Sequence, residues 1–268
     1  MRATRAWGGV AVTLLGALAL LSCASKPHVN VPESQGQPVN RTAQLSEAAD
    51  YNVQLGMAYM ERGELERAKE KLERALKENP HSPQVHSALA PLYERLGNAA
   101  QADSEFQQAL HLAPHSPEIA NNYAVYLCSA KRIDDGVKRF MTVANDPLYR
   151  TPEAAYTNAA VCLRSAHRDD EAERDLQRAL LLRPSFAEAV FQLADLQLQR
   201  GELRPARTRI DSYISTYTAT PDLLLLGVRI ARAQGDRIAE QRYAQRLRVD
   251  FPDSQQTRAL MQGSPNPG

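Results

Sequence analysis

The sequence predicts an all-α solenoid of about six stacked helix pairs, on three observations. Small and large apolar residues return in one order at intervals of about 34 residues. Glycines at 63, 97, 201 and 235 and prolines at 80, 114, 184 and 252 stand at matching places in successive units, as helix-ending residues would. Between them, alanine, leucine, glutamate, arginine and glutamine dominate, and all favour the helix.

Each unit supports the next. The first carries Leu55, Gly56, Tyr59, Ala68, Leu72, Ala75 and Pro80, and the second repeats it with Leu89, Ala90, Tyr93, Ala102, Phe106, Ala109 and Pro114. Tyr123, Ala124, Leu127, Gly136, Phe140 and Val143 form the third, which gains two residues near Asp146 and Pro147. The fourth returns to register with Ala159, Ala160, Leu163, Ala172, Leu176, Ala179 and Pro184. Leu193, Ala194, Ala206, Ile210 and Tyr213 mark the fifth, and Leu226, Gly227, Ile230, Ala239 and Tyr243 the sixth. Small residues such as Gly56 and Ala68 let the helices of a pair approach, while Tyr59 and Leu72 fill the space beside them. A single pair cannot bury its apolar face alone, so the units must stack. The expected helices are 49–61 and 65–79, 83–96 and 99–112, 117–130 and 134–145, 153–166 and 169–182, 187–200 and 203–217, 221–234 and 236–249, closed by a short cap at 254–261. This order of large, small and helix-stopping residues resembles the tetratricopeptide-repeat (TPR) pattern, which implies antiparallel pairs wound into a right-handed superhelix.

The amino terminus reads differently. Arg2 and Arg5 precede an apolar run from Ala6 to Leu21, which is an export-signal pattern and too short and glycine-interrupted to span a membrane. Leu20-Leu21-Ser22-Cys23 resembles a bacterial lipobox, which implies cleavage after residue 22 and a diacylglycerol and an acyl chain on Cys23. Two or more acyl chains anchor a protein stably. Ala24 after the cysteine implies sorting to the outer membrane. Residues 23–47, with Pro27, Pro32, Gly36 and Pro38, have too few apolar side chains to fold and are expected to form a flexible tether, while 48–262 form the solenoid and 263–268 a frayed tail. The precursor carries a net charge of +1, and without residues 1–22 it keeps 30 basic against 31 acidic residues. That balance argues against a nucleic-acid partner.

No catalytic constellation appears: there is no P-loop, dinucleotide fingerprint, nucleophile elbow or histidine pair at metal spacing, so no enzyme activity, metal or cofactor is expected beyond the lipid on Cys23. Cys128 and Cys162 fall on first helices of adjacent units at nearly the same height. Two states fit, a disulfide or a pair of buried thiols, and the oxidising compartment that an export signal implies favours the disulfide. First helices line the concave side of such stacks. There, Met57, Met60, Phe191 and Leu198 are expected to give apolar anchors and Asn121, Asn122 and Asn158 hydrogen bonds to a bound backbone, with Val125, Val161 and Arg164 beside them. Any of these residues is equally open to being turned into the inter-helix core.

The runs Asn121-Asn122-Tyr123, Leu127-Cys128, Asp146-Pro147-Leu148-Tyr149, Thr157 to Cys162 and Phe251-Pro252-Asp253-Ser254 resemble the PilW/PilF-type lipoproteins of type IV pilus assembly. The resemblance implies an outer-membrane pilotin, on the periplasmic face, that binds the secretin subunit and other pilus assembly proteins and promotes secretin insertion or multimerisation. Another outer-membrane TPR lipoprotein, scaffolding cell-wall or barrel-assembly machinery, is the competing reading.

Overall fold

The computed structural model describes residues 41–262. The expected export signal, Cys23, most of the expected tether and the tail at 263–268 lie outside the described residues. Every element within them is an α-helix. They are α1 (Arg41–Glu61), α2 (Leu65–Glu78), α3 (Pro83–Arg95), α4 (Ala99–Leu112), α5 (Pro117–Ser129), α6 (Ile133–Ala144), α7 (Pro152–Ser165), α8 (Asp169–Leu182), α9 (Ala187–Gln199), α10 (Leu203–Thr216), α11 (Pro221–Ala233), α12 (Arg237–Asp250) and α13 (Gln255–Met261). Apart from the start of α1, the helix boundaries lie within one residue of those expected from the repeat.

The first twelve helices pair as α1 with α2, α3 with α4 and so on. Each first helix also touches the next first helix, so α1, α3, α5, α7, α9 and α11 form one continuous face. Second helices supply the small and large residues that the repeat places between layers: Ala68 and Leu72, Ala102 and Phe106, Ala172 and Leu176, Ala206 and Ile210 are all fully or almost fully buried. The short α13 closes the stack against α11 and α12, with Thr257 buried and its hydroxyl donating to Phe251 O at 2.7 Å.

Two local features depart from the sequence reading. Residues 41–47 are helical, although the tether was expected to run to 47. Their side chains from 43 to 45 and at 47 are exposed, so this is a helix propagated outward from a packed nucleus and not one held by apolar burial. The first helices are followed by three-residue turns that carry a left-handed residue, with φ between 73° and 76° at the four glycines, but units three and four place Lys131 (φ 64°) and His167 (φ 58°) there. An L-residue in that conformation costs roughly 1–2 kcal/mol. Within the second unit His86 is buried, its Nδ1 2.6 Å from Glu105 Oε2 and its Nε2 3.0 Å from Pro80 O.

Asp175 on α8 has no carboxylate-saturating partner, and burial pushes its carboxyl from the ordinary 3.8 up to about 6 against the opposing pull of Arg174. The folded state therefore binds this proton more tightly than the unfolded chain. The residue's contribution is most favourable below about pH 4 and is lost as the pH rises through about 6. Asp175→Asn is expected to raise stability at pH 7.5 by on the order of 1 kcal/mol and to change nothing near pH 3.5, read from denaturant titrations at both values. An equal effect at both pH values would contradict the assignment.

Candidate binding groove

Two adjoining pockets open on the face made by the first helices. The first, about 390 Å3, takes Val53 and Met57 from α1, Ala88 and Pro91 from α3, and Asn122 and Val125 from α5. Phe106 and Tyr126 form part of its wall, with ring centroids 5.3 Å apart. The second, about 270 Å3, is lined by Val125, Asn158, Val161, Phe140 and both bridging cysteines. Val125 belongs to both, so the pockets form one groove across the first four units. Met57, Val125 and Val161 are 40%, 48% and 43% exposed there, which is apolar surface available to a partner.

Local chemistry fixes the walls. Cys128 and Cys162 are joined by a disulfide with Cα atoms 5.5 Å apart, tying α5 to α7 beside the second pocket. Asn158 Nδ2 donates to Asn121 Oδ1 at 3.4 Å, which couples the same two helices. Tyr126 Oη donates to Ala99 O at 2.7 Å and Tyr123 Oη to Asp103 Oδ1 at 2.8 Å, so the aromatic wall is anchored to α4. Burial is the main cause that pushes both phenols above their ordinary range. Pro91 stands inside α3 and has no N–H, so Ser87 O lacks its usual helical donor. Ser87 and Pro91 both line the first pocket, which places a backbone acceptor next to apolar anchors.

The structure brings together Met57, Asn122, Val125, Asn158 and Val161 from the expected set. It separates the others. Met60 is 4% exposed and belongs to the core of the first two units, because its place on α1 turns it toward the α2–α3 side. Asn121 lines neither pocket and accepts from Asn158 at 3.4 Å. Arg164 is already occupied: it donates to Asp195 Oδ2 at 2.7 Å and to Gln192 O at 3.2 Å, and Arg229 approaches Asp195 from α11 at 3.5 Å. Phe191 and Leu198 are half-buried against the core of the last two units. Phe106, Tyr126 and Pro91 were missed as groove residues. A proline inside a helical pattern was the available signal; Phe106 gave none, since at a core position of the repeat it reads as packing, and Tyr126 falls at none of the repeat's marked positions.

Among the described residues no group of histidine, cysteine or acidic side chains could hold a metal, and no helix is long and apolar enough to cross a membrane. Stacked helix pairs with an apolar groove on their first helices define a scaffold of the TPR class, and the tetratricopeptide-repeat family model matches residues 53–117 and 87–147. Over 244 residues, 91% of this chain and 94% of the relative, the sequence is 28% identical to the type IV pilus assembly protein PilF of Pseudomonas aeruginosa. The solved PilF structure superposes with a TM-score of 0.60 at 27% identity, over 82% of this chain and 99% of that one. PilW, described as a widely conserved type IV pilus biogenesis factor, superposes with a TM-score of 0.61 at 32% identity, over 80% and 98%. A TPR protein from Parabacteroides merdae, at 18% identity and a TM-score of 0.59, shares the fold. The chain belongs to the PilF/PilW family of type IV pilus TPR proteins.

Proposed function

We infer that this chain is a non-enzymatic assembly factor of the type IV pilus, held at the outer membrane by acyl chains on Cys23, whose groove captures an extended apolar segment of the secretin subunit and promotes its localisation and multimerisation. The observation that carries the reading is the relationship to PilF along nearly the whole chain. The groove supplies the means: Met57, Val125 and Val161 take apolar side chains, while Asn122, Asn158 and Ser87 O meet the bound backbone. Capture beside the bilayer raises the local concentration of subunits, and that needs no bond-breaking step.

Deletion of the gene is expected to abolish secretin oligomers and surface pili while the envelope stays intact, and the wild-type gene to restore both. Val125→Asp with Val161→Asp should accumulate as folded protein yet fail to restore oligomers, because a carboxylate in an apolar contact weakens binding by roughly tenfold or more. Cys23→Ser should leave the protein unanchored. Normal oligomers in the deletion strain, above all with a weakened envelope, would refute this reading and favour a cell-wall or barrel-assembly scaffold.

A further inference from the structure

A cavity of about 710 Å3, larger than either groove pocket and sharing no residue with them, is walled by the end of α8, the start of α9 and the length of α10. Its apolar surface comes from Leu180, Pro184, Val190, Tyr213 and Tyr217, the two rings lying 5.2 Å apart. Arg204 and Arg209 stand in the wall, and no acidic side chain lines it. Arg209 Nε donates to Gln197 Oε1 at 3.2 Å, but its guanidinium meets no carboxylate. Other arginines that bridge helices do: Arg164 with Asp195 at 2.7 Å, Arg183 with Glu153 at 2.8 Å, Arg207 with Asp236 at 2.6 Å. Burial holds Arg209 below the usual arginine range against the weaker opposing pull of Glu173, whose carboxylate is bonded to Arg200. A partly desolvated cation with no carboxylate bonded to it is unfavourable, and an incoming carboxylate relieves it.

The repeat provides an internal comparison. Two units earlier, Leu110, Pro114, Arg139 and Thr142 occupy the places of Leu180, Pro184, Arg209 and Ser212, around a cavity of about 480 Å3. There, Asp135 and Asp146 join the lining, and the Arg139 cation lies 4.7 Å from the centre of the Tyr123 ring. Unit three sets two carboxylates against Arg132, Lys138 and Arg139, whereas unit five sets none against Arg204 and Arg209.

We propose that the unit-five cleft is a second docking surface, for a peptide segment of a partner protein in which an aspartate or glutamate is flanked by apolar side chains. The carboxylate is taken by Arg209 and Arg204, and the flanking side chains pack on Leu180, Val190 and Tyr213. A volume of about 710 Å3 holds several side chains, more than an isolated phosphate or carboxylate fills. The inference stands apart from secretin capture, since it uses other residues on other helices.

The test is an array of hexapeptides with a central aspartate or glutamate between leucine, valine, phenylalanine or tyrosine, beside twins carrying asparagine or glutamine instead, probed with the full-length chain. Acidic members are expected to bind at least about tenfold more tightly than their amide twins. Arg204→Gln with Arg209→Gln should erase the preference without shifting thermal melting, and Arg209→Lys should keep part of it. Equal binding of acid and amide peptides, no binding to any member, an unchanged preference in the double variant, or binding only to vesicles of anionic lipid would overturn the proposal.

Discussion

Replacing both Cys128 and Cys162 by alanine is expected to lower stability by about 3 to 4 kcal/mol, and a reductant should do the same to the unaltered protein. The bridge joins residues 34 apart in sequence, so in the unfolded chain it removes the freedom of a loop of that length. For a domain of this size the melting midpoint should fall by roughly 10 °C. Alanine is the right replacement, since Cys162 is 3% exposed and a serine hydroxyl would add a buried polar group of its own. The bridge also lies between the third and fourth units, near the middle of an array in which each unit is stabilised by its neighbours. A melting midpoint indifferent to reductant would contradict this account.

Gly136→Ala is the second large effect, and it is coupled to the first. At the corresponding place the other units carry Ala68, Ala102, Ala172, Ala206 and Ala239, each buried and accommodated. In the third unit a Cβ would stand 2.4 Å from Cys128 Sγ and 3.0 Å from Ala124 O. The sulfur is fixed by its bridge and the carbonyl by its helix, so neither can yield. The expected cost is about 2 kcal/mol after allowing for the roughly 1 kcal/mol that alanine gains over glycine in a helix. In the Cys128→Ala, Cys162→Ala background the sulfur is gone and the cost should fall by about 1 to 2 kcal/mol, measured as the coupling in a double-mutant cycle. Strict additivity would show that the bridge does not set the glycine.

Cys128, Cys162 and Gly136 show how much the sequence discloses and where it stops. Repeat spacing gives the helices, because most boundaries are marked locally by a glycine, a proline or a capping side chain such as Ser82, Ser116 or Asp236, and the repeat supplies the α5–α6 and α7–α8 turns that carry no such mark. The spacing also places Gly136 at a small-residue position. It does not say why glycine replaces alanine there, since that depends on a sulfur from the facing helix. The groove is legible to the same degree. Val125 and Val161 are apolar on the outward side of a first helix, and that mismatch identifies them. Arg164 and Met60 satisfy the same spacing but are claimed by Asp195 and by the core, which are contacts between units that one helix does not reveal. Residues 41–47 go the other way: composition suggested coil, and a packed helix beside them carries them into regular structure.

Under the proposed function, the groove of the first four units holds the secretin subunit. A photo-crosslinking amino acid placed in living cells at Val125, at Val161 and, for comparison, at Ile238 on α12, which is 83% exposed, tests it most directly. A secretin adduct is expected from both valine positions and none from residue 238. Secretin adducts of equal yield at all three positions, or an adduct only at 238, would contradict it.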